Sequence, residues 1–197
     1  GDGYIVGIAI ATDKWSGYLP IRHENGGNLE EEIVLRWLKR TFENHKGTMV
    51  FHNALYDVGW LKREGVELTC PLRDTMFAAP LFDENRWSYS LNNLGMDFLA
   101  ESKDETLLET AAKAWGVNPK GGMWALPAKY VGPYAEQDAV LTLKLWKIFK
   151  KRIEIEGLQK IYDLECDLIP LLIEMRWRGV RIEFTSEHHK STCTASS

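Results

Sequence analysis

Cysteine is scarce in this sequence, and the few cysteines form no pattern. The three among 197 residues, Cys70, Cys166 and Cys193, are widely scattered and include no C-x-x-C pair. This excludes a disulfide framework and favours a reducing, intracellular setting. Long apolar runs are also missing: Tyr4–Ala11 and Leu168–Ile173 are far too short to cross a bilayer. Because a strand-like run begins almost at once, we expect no signal peptide, a cytoplasmic protein and no membrane partner.

Positive charge is not in excess either. The net charge is −4 and the pI is near 5.8, whereas a protein that holds DNA mainly by neutralising phosphates is usually basic. Acidity does not exclude nucleic acid, because carboxylates that bind divalent cations lower the pI, and the cations then meet the phosphate. Hydrophobic residues make up 45% of the chain, which is enough for a core. The length suits one domain with the start of a second.

The pattern of apolar residues predicts an α/β fold. Short apolar or β-branched runs predict strands at Tyr4–Thr12, Tyr18–His23 and Thr48–His52. Helices are predicted at 28–44, 55–63, from 74 onward, and at 90–99, 105–115, 133–155 and 159–178. Asn28 is expected to open a capping box on the first helix, and Asp74 to cap the third. This order of elements is typical of an α/β layout with a mixed sheet.

One group of polar residues lies where a predicted strand ends and a helix begins. His52 and Asn53 end the strand, and Asp57 falls in the first turn of the helix. Such junctions are the usual place for ligand-binding groups in an α/β sheet. A carboxylate in that turn also suits the helix dipole, so the pattern alone permits a purely structural role for Asp57.

A second group lies in the long predicted helix. Tyr134 and Asp138 are four residues apart, which places a phenol and a carboxylate on one helical face, one turn from each other. The spacing suits a hydroxyl that orients a water next to a metal ion held by the carboxylate. The alternative is an ordinary amphipathic helix in which Tyr134 packs and Asp138 is solvated.

Together the two groups resemble the second and third motifs of the DEDD exonuclease family. Asn53-x-x-Tyr56-Asp57 is similar to the second motif, and Tyr134-x-x-x-Asp138 is similar to the third. The tyrosine in the third motif marks the tyrosine subclass of that family. Jointly the motifs are fairly specific, whereas each alone is not.

Further segments resemble family A DNA polymerases, whose phage and bacterial members carry this domain for proofreading. They are Arg73–Thr75, Tyr89–Leu94, Leu168–Met175 and Arg178–Ile182, the last two resembling the segment that enters the polymerase domain. The resemblance implies a ribonuclease H-like mixed sheet flanked by helices. It also implies an exonuclease domain at 1–155, a helical connection at 156–184 to a polymerase domain of the same parent chain, and a disordered tail at 185–197.

The resemblance implies a mechanism in which two divalent cations, Mg²⁺ or Mn²⁺, are held by four carboxylates. They would hydrolyse the 3′-terminal phosphodiester of DNA, at a single-stranded or frayed 3′ end, during replication. Asp138 would bind one metal directly, and Asp57 would serve the second through water. Tyr134 would orient the attacking water. Asn53 would support the site or touch the terminal nucleotide.

The first motif of that family, Asp-x-Glu on the central strand, has no counterpart in the sequence. The only Asp-x-Glu is Asp163-Leu164-Glu165, in a predicted helix. There, side chains two apart point nearly opposite ways and could not hold one ion. We therefore expect the first, central strand and two carboxylates to be missing. Backbone N–H and C=O groups of the neighbouring strands would then lack hydrogen-bond partners. The chain alone is expected to be inactive and poorly stable.

Two alternatives stay open from the sequence. The first is a stand-alone DEDD exonuclease acting on DNA or RNA, against which the segment after Leu168 argues. The second is a catalytically dead module that binds DNA ends. The presence of Asp57, Tyr134 and Asp138 argues against this second alternative, because a site without catalytic activity would not need them.

Overall fold

The strands form two separate pairs in the computed structural model, which describes residues 3–181. Strands β1 (Gly7–Ala11) and β2 (Ser16–Pro20) pair antiparallel. Strands β3 (Met49–Phe51) and β4 (Leu72–Asp74) pair in parallel, with Phe51 opposite Asp74. Within the described residues these are two two-stranded sheets rather than one mixed sheet. Whether a further, central strand joins the two pairs stays a prediction.

Seven α-helices accompany these strands in the described part of the chain, and the α/β class is confirmed. They are α1 (Glu31–Glu43), α2 (Ala54–Arg63), α3 (Thr75–Phe82), α4 (Leu91–Leu99), α5 (Thr106–Trp115), α6 (Ala128–Ile155) and α7 (Gln159–Arg178). No helix among residues 3–181 is long and apolar enough to cross a membrane. The predicted tail at 185–197 and the end of the predicted connection, 182–184, lie outside the described residues.

The capping box predicted at Asn28 is wrong. Helix α1 begins at Glu31, and its N-cap, Glu30, makes no capping hydrogen bond through its side chain. The side chain of Asn28 instead binds the backbone of His23. It accepts from the His23 N–H and donates to the His23 carbonyl, both at 2.7 Å. Asn28 therefore stabilises the turn after β2 rather than the helix.

The long helix α6 organises the core. It packs against both strand pairs and against α3, α4 and α5. Leu141, Leu145 and Phe149 form its buried stripe. The sequence predicted a start near Pro133, because proline favours the first turn of a helix. The helix begins at Ala128 instead, so Tyr134 and Asp138 lie inside it, where neighbouring turns hold them in place.

Helix α7 belongs to the same core. Tyr162, Cys166 and Ile169 are buried among residues of α2, α3 and α6. The helical setting predicted for the Asp-x-Glu sequence is confirmed, because residues 163–165 lie within α7. Asp163 forms an ion pair with Arg73 at 2.8 Å, whereas Glu165 is exposed. The two carboxylates therefore do not clasp one ion.

Candidate functional site

The candidate site lies at the carboxyl ends of the parallel strands β3 and β4. His52 and Asn53 follow β3 directly, and Asp74 ends β4. Carboxyl ends of parallel strands are where α/β folds place ligand-binding groups, because the chain turns there into helices whose N–H groups point outward. Helices α2 and α3 both begin at this edge.

Asp74 fixes the backbone of this edge. Its carboxylate accepts hydrogen bonds from the N–H groups of Asn53 (3.1 Å), Ala54 (2.6 Å) and Met76 (2.8 Å). The predicted cap on α3 is confirmed, and the same carboxylate also binds the start of α2. Burial raises the pKa of Asp74, while these backbone donors act in the opposite direction. Asp74 thus joins the two helix starts and is committed to backbone contacts.

Asn53 occupies a strained position at this junction. Its φ of 74° and ψ of 57° place it in the left-handed region, which asparagine tolerates better than most residues. Its side chain is exposed and makes no capping hydrogen bond to α2. The amide therefore lies at the surface of the site, beside the buried carboxylate of Asp74.

Asp57, one turn into α2, is an exposed residue whose carboxyl group is partly buried. That burial, together with the negative charges of Asp74 and Asp138, raises its pKa to about 7. The charges of Asp74 and Asp138 act on Asp57 only because the three carboxyl groups lie within electrostatic reach of one another. The structure therefore brings Asp57 of α2 within that reach of Asp138 of α6, although the two are far apart in the sequence.

Lys103 links Tyr134 to Asp138. Its Nζ atom is 2.7 Å from Asp138 Oδ1 and 3.4 Å from the Tyr134 hydroxyl, and it lies 5.0 Å from the centre of the tyrosine ring. The Lys103 side chain is only 10% exposed. Burial raises the pKa of Asp138, and the nearby ammonium group lowers it. The three residues thus form one charged cluster beside Asp57.

The loop that carries Lys103 is fastened on both sides. The Lys103 N–H donates to Asn92 of α4 at 3.1 Å. Gln137, next to Asp138 on α6, accepts from the Asp104 N–H at 3.0 Å and donates to the Ser102 carbonyl at 3.1 Å. These contacts hold the backbone of the loop against α6, so Lys103 has a fixed point of attachment beside the carboxylate.

His52 adds an uncharged polar group to the cluster. His52 Nδ1 lies 2.9 Å from the Thr75 hydroxyl, which also donates to the Phe51 carbonyl at 3.1 Å. Burial, together with the positive charge of Lys103, lowers the pKa of His52 to about 4. The imidazole is therefore neutral near pH 7.

The carboxylates present fit a hard divalent cation in part. Asp138 Oδ1 is buried, and within the described residues no hydrogen-bond donor is aligned with it; the Lys103 contact is an ion pair without that alignment. An oxygen in that state is a suitable ligand for Mg²⁺ or Mn²⁺. Residues 3–181 contain no group of three or more His, Cys, Asp or Glu arranged around one point. The described residues thus offer part of a cation site.

The sequence identified some members of this cluster and missed others. Asp57, Tyr134 and Asp138 are brought together, and Asn53 lies at the strand–helix junction beside them. Lys103 was missed, since a single lysine in a loop between two helices carries no distinguishing pattern. The contact of Asp74 with α2 was missed as well, although Asp74 lies at a strand–helix junction like that of Asn53.

Comparison of the sequence with known proteins identifies its family. The sequence model of a 3′–5′ exonuclease family matches residues 2–154. The DNA-directed DNA polymerase of Pseudomonas phage M6 is 42% identical over 185 residues, which are 92% of this chain and 28% of the polymerase. DNA polymerase I of Treponema pallidum is 33% identical over 153 residues, covering 76% of this chain and 14% of the polymerase. The chain thus spans less than a third of these relatives.

Solved structures agree on the fold. Brucella melitensis NrnC matches with a TM-score of 0.60 at 18% identity, over 85% of this chain and 73% of that one. A structure of NrnC with bound Mg²⁺ matches with a TM-score of 0.58 at 17% identity, over 89% and 77% of the two chains. At this level of identity the likeness concerns the fold alone, and it confirms the predicted ribonuclease H-like α/β class.

Proposed function

Because this chain belongs to the 3′–5′ exonuclease domain family of family A DNA polymerases, we propose that it removes nucleotides from DNA 3′ ends for proofreading. The single observation that supports this activity is the cluster in which Lys103 joins Asp138 to Tyr134 on α6, within electrostatic reach of Asp57 on α2. The matched relatives are polymerases, which favours a domain of a polymerase over a stand-alone nuclease. Residues 1–155 would form the exonuclease domain, and 156–184 would lead to the polymerase domain.

Asp57 and Asp138 would hold the divalent cations, Mg²⁺ or Mn²⁺, on which this chemistry depends. When bound, two cations supply an activated water and offset the charge that develops on the phosphate. Asp138 would bind directly through Oδ1, which has no aligned hydrogen-bond donor. Asp57 would serve the second cation through water, as its place in the second motif implies. Tyr134 would hold the attacking water through its hydroxyl, and Asn53 would contact the terminal nucleotide.

Two further carboxylates would complete the ligand set. The DEDD pattern requires an Asp-x-Glu pair on a strand next to these groups. Within residues 3–181 that sequence occurs only at 163–165, on α7, where Asp163 is paired with Arg73. We therefore propose that Asp57 and Asp138 supply half of the ligands, and that the other half come from elsewhere in the parent polymerase.

The test uses the full-length polypeptide that carries this domain, a 5′-labelled single-stranded DNA and Mg²⁺. We expect successive shortening from the 3′ end on a denaturing gel. Asp138→Asn should lose nearly all trimming, because a missing ligand displaces a cation, roughly a hundredfold or more. Tyr134→Phe should lose less, roughly tenfold to a hundredfold, because only one hydrogen bond to the water is removed.

Glu165→Gln is the matched control. It removes a carboxylate from the Asp-x-Glu sequence of α7, at a position on the exposed face of that helix. This variant should trim DNA like the wild type. If Asp138→Asn trims as fast as the wild type, or if Glu165→Gln is as slow as Asp138→Asn, the assignment of the site is wrong.

A further inference from the structure

We propose that Lys103 is a built-in counter-cation of Asp138, which a divalent cation must displace in order to bind. In the metal-free protein its ammonium group occupies the position beside the carboxylate that such a cation would need. This inference rests on the proposed function, since it concerns the same carboxylate. It adds a residue outside the exonuclease motifs to the control of cation binding.

The contact between Lys103 and Asp138 is a close ion pair. Nζ lies 2.7 Å from Oδ1, and that oxygen has no other partner among the described residues. The ammonium group therefore supplies the main positive charge at this oxygen. A divalent cation at the same oxygen would supply a larger positive charge and would take the place of the ammonium group. The Tyr134 ring and hydroxyl line the other side of the ammonium position.

Burial separates this ion pair from the other lysine pairs of the described chain. The side chains of Lys144 and Lys147 are 44% and 56% exposed in their pairs with Glu101 and Asp13, whereas that of Lys103 is 10% exposed. A buried ammonium is costly unless a carboxylate offsets its charge, and the same holds for the buried oxygen of Asp138. The Lys103 ammonium group therefore depends on the Asp138 carboxylate. The carboxylate depends in turn on that ammonium group or on another cation in its place.

The loop geometry lets the ammonium group leave while the backbone stays. The side chains of Asn92 and Gln137 make hydrogen bonds to main-chain atoms of residues 102–104 and not to the Lys103 side chain. Lysine carries its charge on a flexible four-carbon stem, which can swing outward. A cation bound at Asp138 and an ammonium group 2.7 Å from the same oxygen would repel each other, so both cannot stay.

The first test measures Mn²⁺ binding to the full-length polypeptide that carries this domain, by the electron paramagnetic resonance signal of free Mn²⁺, and counts only the binding that Asp138→Asn removes. Removing the competing ammonium in Lys103→Met should tighten Mn²⁺ binding by at least about fivefold. Lys103→Gln is the second variant, and it should act in the same direction. Circular dichroism of each variant confirms that it is folded.

Lys120→Met is the matched control. Lys120 also lowers the pKa of Asp138 through its charge, but it is 64% exposed and pairs with Glu105. Lys120→Met removes the same charge but leaves the position beside Asp138 occupied by Lys103. Because salt screens exposed charges, the affinity for Mn²⁺ should rise less than roughly twofold. Equal gains in Lys103→Met and Lys120→Met would show a general charge effect and overturn the inference.

Asp138→Asn separates this inference from the proposed function. If Mn²⁺ binding weakens in Asp138→Asn but is unchanged in both Lys103 variants, the counter-cation role is wrong and the proposed function stands. If Asp138→Asn binds Mn²⁺ as the wild type does, or if neither the wild type nor any Lys103 variant binds it, the cation site itself is wrong. Both proposals then fail.

A second test follows Lys103 in the unaltered protein. Brief labelling with an amine-reactive ester, read by mass spectrometry, reports how accessible each lysine is. Labelling of Lys103 should rise at least about threefold when Mn²⁺ saturates the site, because the displaced ammonium group becomes exposed. Labelling of Lys144, which pairs with Glu101 at the surface, should not change. Unchanged labelling of Lys103 at saturating Mn²⁺ would refute displacement.

Discussion

Replacing Asp57 by asparagine is expected to stabilise the metal-free protein at neutral and alkaline pH. The folded environment raises the pKa of Asp57 from 3.8 to about 7, so the folded state holds its proton more tightly than the unfolded state. Wild-type stability therefore falls as pH rises through that window, and the loss is complete above it. Asparagine is uncharged at every pH in this range, so the stability of Asp57→Asn does not fall in this way.

The size of the effect follows from the same numbers. At about 1.4 kcal/mol for each pKa unit, the change from 3.8 to about 7 corresponds to roughly 4 kcal/mol if fully expressed. Asp57 is exposed, so solvent screening reduces this to about 1–2 kcal/mol. Loss of a favourable contact with the α2 dipole, about 0.5 kcal/mol, opposes the gain but does not reverse it. We expect a net gain of about 1 kcal/mol, or roughly 2–4 °C in melting temperature.

Urea denaturation in EDTA, in steps from about pH 4.5 to about pH 8, measures this difference. The advantage of Asp57→Asn should be near zero at the acidic end, grow up to about pH 7 and then stay constant. Asp13→Asn is the control, because Lys147 lowers the pKa of that exposed carboxyl and its removal should give no such gain. A pH-independent difference, or a loss of stability at pH 8, would refute the raised pKa of Asp57 and the burial of its carboxyl group.

Two further predictions concern the packing that positions the site. Tyr162→Phe should lose about 1.5–3 kcal/mol in urea denaturation, because its hydroxyl accepts from the buried Asp74 N–H and donates to the Asp74 carbonyl; a loss below about 0.5 kcal/mol would contradict this. Gly95→Ala should also destabilise the protein, by about 1–2 kcal/mol, because a Cβ there would lie 2.9 Å from the Glu101 carbonyl oxygen. Gly59→Ala is the control. A Cβ at residue 59 meets nothing within 4 Å, so this substitution should stabilise the protein.

The sequence predicted the elements whose signals are local. The bounds of α7 match the prediction, and α2, α4 and α5 begin within one residue of it, because glycine stops and apolar periodicity mark helices directly. The three-residue strand β4 was missed, since three residues are too few to show alternation. The failed cap at Asn28 has a similar cause: an asparagine side chain can bind a turn as well as a helix.

The candidate site was predictable only where its residues share a motif. Tyr134 and Asp138 are one helical turn apart, so the sequence alone places them together. Lys103 reaches them because α4 and α5 pack on α6, and Gln137 then fastens the intervening loop. Contacts of that kind depend on tertiary packing between distant segments, which no local pattern records.

Charge at this site opposes folding and favours binding. Partial burial disfavours the charged forms of His52, Asp57 and Asp138, and Lys103 offsets only part of the negative charge. A neutral cluster would make a more stable protein, but it would lose its attraction for a cation. Because a divalent cation offsets the carboxylates in the folded state alone, its binding must raise the free energy of unfolding by an amount that grows with cation concentration. The residues that destabilise the metal-free fold are therefore those that let it gain stability on binding.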